Sequence, residues 1–301
     1  MRIAVVGAGG VGGYYGGVLA RAGHDVRFLA RGEHRAAIRS RGLELKEPDG
    51  GFTAAVFASD RVEEVGPAEL VLVAVKSYSL AEVAPAVRQL AAGGADVLPL
   101  LNGVEAFEAL AARGVPEKAM LCGLTTISVA RIAPGVVERK SPFRSVVLGE
   151  RGGGSSARAE RIAAAFRETG TDARVSGEIA VELWRKLLFI ATIAAGCGLA
   201  RSSIGAVRSA PLGGRLLERA AREIGAVARA RGVSLPDGDE ERVLQQIGAL
   251  PGALKPSFLL DLERGGPNEL DVLSGAVSRL GELSGVPTPT HDAVVAALSP
   301  R

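Results

Sequence analysis

The chain opens on a short apolar run, Ile3-Ala-Val-Val6, that breaks into glycines and continues with helical spacing through Arg21 before a second apolar run, Val26-Arg-Phe-Leu-Ala30. That order predicts strand, tight turn, helix and strand. Leu43-Glu-Leu-Lys46, the turn Pro48-Asp-Gly-Gly51 and residues 52–57 predict a hairpin. Leu70-Val-Leu-Val-Ala-Val75 is a continuous apolar run of the kind found in strands buried on both faces, and Lys76 and a helical stretch to Ala92 follow it. Residues 97–101 repeat the pattern and end in Asn102-Gly103; further strands are predicted over 119–130, 135–139 and 145–149. The cluster Gly152-Gly-Gly-Ser-Ser156 reads as a loop before one last helix, 157–169, and one last strand. Alternation of this kind predicts a mostly parallel sheet with helices on both faces.

From residue 178 onward the strand signal disappears. Residues 178–199, 212–231, 239–250, 268–284 and 292–298 carry helical spacing, with Leu216, Ala220, Ile224 and Val227 forming one apolar stripe. The expected fold class is therefore α/β: a Rossmann-type doubly wound domain over residues 1–176, followed by an all-helical domain over 177–301. The apolar stretch 187–200 is shorter than the roughly 18 residues of a membrane span and is expected to be a buried core helix. The N-terminal apolar run, interrupted by glycines and without a charged leader, reads as a strand rather than a signal peptide.

Composition narrows the partners. With 47% hydrophobic and 23% charged residues among 301, the chain has an ordinary globular balance. Its formal charge is only +3, and Lys and Arg are scattered rather than clustered beside aromatics, so neither nucleic acid nor a membrane is an expected partner. Cys122, Cys197 and three dispersed histidines form no metal-ligand spacing, so no metal is expected. The expected compartment is the cytoplasm, with a homodimer left open as the assembly.

The candidate chemistry begins at Gly7-Ala8-Gly9-Gly10-Val11-Gly12, in a strand–turn–helix context suited to a dinucleotide. Gly7 permits the turn, Gly9 lets the backbone approach a pyrophosphate, and Gly12 lets the helix lie close to the strand while its N–H groups face the phosphates. At the end of the second strand, where NAD-binding domains place an acid about twenty residues beyond the motif, this chain has Arg31. A guanidinium is a good fork for a 2′-phosphate and a poor partner for a hydroxyl, so the expected cofactor is NADPH/NADP+, with Arg35 adding to the same patch.

Because ligands of open α/β sheets bind beyond the carboxyl ends of the strands, Lys76 and Asn102 are candidates, against the plainer readings of a helix-start lysine and a turn asparagine. In the second half, Lys186 stands four residues after Glu182, the spacing of a surface ion pair, yet it is also the last charge before a long apolar run, where a partly desolvated ammonium can act as a general acid. Ser257 follows Pro256 and could simply cap a helix. Glu269 follows Asn268, and an acid in a helix's first turn is commonplace.

The landmarks Val75-Lys76, Leu101-Asn102-Gly103, Leu183-Trp-Arg-Lys186, Lys255-Pro-Ser257 with Asp261, and Asn268-Glu-Leu-Asp271 followed by Gly275 stand in order between the opening motif and Gly285-Val-Pro-Thr-Pro289. In that order and spacing the chain resembles the ketopantoate reductase (2-dehydropantoate 2-reductase) family over nearly its whole length. The resemblance implies NADPH-dependent reduction of the 2-oxo group of ketopantoate to pantoate, a step toward pantothenate. It implies that Gly7 to Gly12 and Arg31 hold the cofactor, with Lys76 and Asn102 near its ribose and nicotinamide and Ser128 touching it through the backbone. Lys186 would be the proton donor, Asn102 and Ser257 would bind substrate, and Glu269 would position the substrate or the nicotinamide ribose within the catalytic set. A second domain closing over the first would exclude water.

The chain departs from the better-known members, which commonly have asparagine four and eight residues after the lysine. Here Ile190 and Ala194 occupy those positions, on the same helical face as Lys186, so a drier pocket wall and a more apolar oxo acid are the alternative expectation. A β-hydroxyacid dehydrogenase, which also uses a lysine in a helical domain, would need a long interdomain helix with a glycine-rich helix bearing the lysine, and neither is read from this chain. A non-catalytic NADP-binding regulator is the alternative from another class, and the retained Lys186 argues against it.

Overall fold

A computed structural model describes residues 1–48 and 50–299; Asp49 of the predicted Pro48–Gly51 turn lies outside the described residues. The chain divides into two compact units, residues 1–101 with 106–179, and residues 102–105 with 180–301.

The first unit is built on two five-stranded sheets. In the first sheet, β1 (Arg2–Val6), β2 (Asp25–Leu29), β5 (Phe57–Ser59), β6 (Leu70–Val73) and β7 (Asp96–Pro99) run parallel in the order β5-β2-β1-β6-β7. Its helices include α1 (Gly10–Arg21), α2 (Gly32–Arg41), α3 (Val62–Val65), α4 (Leu80–Ala92) and α5 (Ala106–Ala111). The second sheet is mixed, with order β10-β9-β3-β4 and β8 alongside β9, from β3 (Leu43–Glu47), β4 (Gly50–Ala54), β8 (Cys122–Ala133), β9 (Val136–Gly149) and β10 (Asp172–Val175), the last entered through α6 (Ala157–Glu168).

Helix α1 owes its position to glycine on two faces. A methyl added at Gly12 or Gly16 would strike Gly7 O or the ring of Phe28 on the first-sheet side; one at Gly13 would come within 2.8 Å of Val137, and one at Gly17 would strike Leu45, on the second-sheet side. Removing those methyls lets both sheets close on the same helix. Tyr14 and Tyr15, fully buried between them, then find polar partners, Glu47 at 2.7 Å and Thr125 at 2.7 Å.

Two local expectations change. The predicted hairpin over 43–57 holds for β3 and β4, paired from Leu43↔Ala54 to Glu47↔Gly50, but Phe57 starts β5 of the other sheet. Its apolar run lacks a period that would mark the switch. The strands predicted over 135–139 and 145–149 are one strand, β9, which stays paired with β8 on both sides of an irregularity between Ile127 and Val129; within it Arg139, 6% exposed, bonds Glu47 at 3.2 Å.

The second unit packs α7 (Ile179–Ala200), α8 (Ile204–Ser209), α9 (Gly213–Ala230), α10 (Asp239–Gly248), α11 (Ser257–Arg264), α12 (Ser274–Ser284) and α13 (Pro289–Leu298) around the apolar side of α7. At 22 residues α7 is long and apolar enough to cross a membrane by length and composition, but 61% of its most apolar window is buried inside the protein, as expected of a core helix. Two polar ties lock the bundle. Arg229 makes a bidentate pair to buried Glu240 at 2.7 and 2.8 Å, in space a side chain at Gly225 would fill, and buried His291 bridges Ala220 O and Ser274 Oγ, each at 3.1 Å.

Gly16→Ala tests the packing of α1. In an exposed helix this exchange gains about 1 kcal/mol. Here the methyl meets Phe28 and Val5, and overpacking of this kind costs about 1–3 kcal/mol, so the variant is expected to melt at a lower temperature than the wild type. A raised melting temperature would show that the Phe28 ring gives way freely.

Candidate active site

The turn after β1 is glycine-rich for distinguishable reasons. Gly7 has φ +99°, and a side chain there would stand 2.6 Å from Val75 and 2.9 Å from Ala74 O. At Gly10 a methyl would lie 2.9 Å from Val129 O of β8, while Gly12 lies against Gly7 O. The protein's own packing thus accounts for Gly7, Gly10 and Gly12. Gly9 is different: a methyl there meets no protein atom within 4 Å. It is also the N-cap of α1 and has no side chain to accept from the first-turn N–H groups. Open space beside a helix start with no side-chain cap is what a dinucleotide pyrophosphate requires, so the turn from Gly7 through Ala8 and Gly9 to Val11 and Gly12 fits that cofactor.

Arg31 is the N-cap residue of α2, exposed and ion-paired with Glu82 of α4; Arg35, one turn on, pairs with Asp60. Neither acid was legible as a partner, since they stand 51 and 25 residues away in sequence with no local pattern linking them. Lys76 follows β6 as the N-cap of a short 3-10 turn, Ser77–Ser79, and is half-buried. Ser128 is exposed at an irregularity of the β8–β9 pairing, its N–H donating to Ser141 Oγ at 3.0 Å, one residue before the Val129 carbonyl that faces Gly10.

The second unit gathers another group. Residues 102–105 belong to it: Gly103, at φ +92°, lies against Val272, Val104 packs on the helical core, and Glu105 pairs with Arg279 at 2.6 Å. Asn102 thereby donates from Nδ2 to Glu269 Oε2 at 3.0 Å. Glu269 is only 4% exposed, and the turn carrying it is set by Asn268 Oδ1, which accepts from the Leu270 N–H at 3.0 Å. The helix expected over 268–284 therefore begins only at Ser274, and Glu269 sits in the turns ahead of it. An Asx-type bond at Asn268 competes with helix formation there.

Lys186 is half-buried on α7. Burial pushes its ammonium down to about 8 from the ordinary 10.5, and the Glu269 carboxylate opposes that shift. The charge that acts on Lys186 is thus Glu269, distant in sequence, rather than the Glu182 that its spacing suggested. Ser257 is the exposed first residue of α11; the cap position is Pro256, and Asp261 one turn on pairs with Arg264 at 3.3 Å. On α7, Ile190 is half-buried but Ala194 is 2% exposed and packed into the helical core, so its apolar character answers to the core rather than to an open wall.

An ammonium with a lowered pKa, a buried carboxylate and an amide that fixes that carboxylate can together hold and release a proton near neutral pH. Competitive labelling with trace acetic anhydride is expected to titrate Lys186 near pH 8, well below surface lysines. Because the Glu269 charge raises the value, Glu269→Gln should move the midpoint lower still. A Lys186 midpoint above 10 in the wild type would contradict this electrostatic picture.

Residues 3–153 match the family described as ketopantoate reductase PanE/ApbA, and residues 178–301 match its C-terminal region. The 2-dehydropantoate 2-reductase of Halobacterium salinarum is 37% identical, covering 92% of this chain and 91% of its own. Among solved structures, the 2-dehydropantoate 2-reductase of Geobacter metallireducens superposes with a TM-score of 0.91 at 31% identity, covering 99% of both chains. A D-mandelate dehydrogenase solved with NADH and anilino(oxo)acetate gives 0.89 at 25% identity, covering 99% of this chain and 97% of its own. With both of its parts matched along nearly the full length, the chain belongs to the ketopantoate reductase family of oxidoreductases, whose first domain is Rossmann-like.

Proposed function

We propose that the protein reduces a 2-oxo acid to a 2-hydroxy acid with NADPH, ketopantoate to pantoate being the leading substrate pair. The observation that carries this reading is the group Asn102, Glu269 and Lys186, a proton donor with its positioning carboxylate. When bound, the dihydronicotinamide supplies a hydride to the carbonyl carbon. Residues 7–12 would hold the pyrophosphate, Arg31, which pairs with Glu82, would meet the 2′-phosphate, and Lys76 and Ser128 would contact the cofactor from the same unit. Lys186 stabilises negative charge as it grows on the carbonyl oxygen and then delivers a proton to it. Glu269, held by Asn102, keeps the Lys186 ammonium protonated and oriented, and Ser257 binds the substrate.

A second reading rests on Ile190. Without an amide at that half-buried position, an aromatic or aliphatic 2-oxo acid is accommodated at least as well as ketopantoate, and a relative that binds anilino(oxo)acetate supports the comparison. A panel of 2-oxo acids assayed by NADPH and NADH absorbance separates the two readings. Conversion of none of them would overturn both, and equal use of the two cofactors would remove the role given to Arg31.

Lys186→Ala is expected to lower kcat by about 100- to 10,000-fold while cofactor binding survives. The pH profile has a definite sign: reduction needs the protonated amine, so kcat should fall as pH rises through about 8, and that limb should vanish in the variant. Loss of less than about threefold in kcat would return Lys186 to a structural role.

A further inference from the structure

We propose that His34 is a positioning residue for the cofactor: its ring fixes the carbonyl of Ala8 and with it the shape of the glycine-rich loop that binds the dinucleotide. The inference rests on the reading that residues 7–12 hold that cofactor.

His34 lies on α2, three residues beyond Arg31, and is 5% exposed. Its Nε2 is 2.6 Å from Ala8 O, while the N–H of Gly135 donates to its Nδ1 at 2.8 Å. These two partners determine the proton's place. A carbonyl can only accept, so Nε2 carries the hydrogen; a backbone N–H can only donate, so Nδ1 is bare. One neutral tautomer serves both, and burial together with Arg131 holds the imidazole below its ordinary 6.5, against the Ala8 bond. Among the charged groups on surrounding elements Arg131 of β8 is the one acting on the ring; residues 7–12 and the turn Pro134-Gly135 carry none.

Ala8 stands between Gly7, at φ +99°, and open Gly9, a stretch where the backbone has few side chains to fix it. The ring supplies the missing constraint from outside the loop. Its other support is itself anchored, because Arg41 Nη2 donates to Pro134 O at 2.5 Å and Gly135, at φ +75°, lies against Ala37 of α2. Helix α2, the β8–β9 turn and the glycine loop are thus joined at one imidazole. Loss of its bonds frees a loop that must be ordered again on binding, which weakens affinity without touching the reacting atoms.

The test is NADPH titration by fluorescence with wild type, His34→Leu, His34→Gln and His34→Asn. His34→Leu should raise the dissociation constant about 10- to 100-fold, the effect expected when a buried hydrogen bond that preorganises a binding loop is lost. His34→Gln, whose amide offers a donor and an acceptor at a similar spacing, should return to within about threefold of wild type. At saturating cofactor kcat should change little, the loss appearing in KM for NADPH. Adenosine 2′-monophosphate, which lacks the pyrophosphate, should bind His34→Leu and wild type alike. Should His34→Leu fail to fold, His34→Asn, too short to span both partners, takes its place. NADPH binding within twofold of wild type by the variant lacking both bonds would overturn the proposal, as would failure of a folded His34→Gln to recover. No NADPH binding by the wild type would instead overturn the cofactor reading itself.

Discussion

Close approach of two sheets to one helix is the constraint on which the first unit depends. Helix α1 has no polar face: Gly12 and Gly16 admit Val5 and Phe28 from one side, and Gly13 and Gly17 admit Val137 and Leu45 from the other. A helix packed on one face tolerates larger residues on the other, but a helix packed on both faces has to lose its Cβ atoms where each sheet comes nearest. Glycine at those positions lowers helix propensity by about 1 kcal/mol each. Tertiary burial offsets that loss, and the edge-to-face contacts of Tyr15 with Tyr14 and Phe166 add to it. The N-terminus of the same helix opens onto the glycine loop, so the packing that orders the core also fixes the candidate cofactor loop.

The polar chemistry of the candidate site obeys a second constraint, the expense of buried charge. Glu269 is buried and Lys186 half-buried, and each is tolerable because the other is near. Burial lowers the lysine's pKa and the carboxylate limits the fall, leaving a value where the ammonium is both abundant and acidic enough to give up a proton at neutral pH. Asn102 adds geometry: its amide holds one carboxylate oxygen, so Glu269 has a defined orientation. The same logic governs Arg139, Arg144 and Glu47 in the first unit, where a carboxylate shared by two guanidiniums and the Tyr14 hydroxyl carries charge through a sheet with no catalytic purpose assigned to it.

Much of this was legible in the chain. The apolar runs at 3–6, 26–30 and 70–75 declared strands, and the run at 70–75 lacks alternation because it is buried on both faces. Gly7, Gly9 and Gly12 marked a turn from strand to helix, the context on which the proposed nucleotide loop rests, and the loss of strand signal after residue 178 declared a helical second part. Family landmarks singled out Lys186, Asn102 and Glu269 although their own local patterns were ambiguous.

What the sequence could not contain was the set of partners brought together from distant segments. The identity of the charge facing Lys186 was decided by a turn 83 residues further along, because Coulomb interaction follows distance in space and not in sequence. Likewise the single mixed strand β9, the transfer of Phe57 from hairpin to parallel sheet, and the burial of Ala194 depend on neighbours that no local period encodes. His34 is the clearest instance: a lone histidine in a helix, without motif or spacing, became the link between Ala8 and Gly135 only because α2 packs beside both. The sequence by itself determined most of the strands and helices and the glycine-rich turn between β1 and α1, since those follow from periodicity and backbone freedom. Tertiary structure decided which side chains share a proton, a charge or a hydrogen bond, since those depend on contacts between segments far apart in the chain.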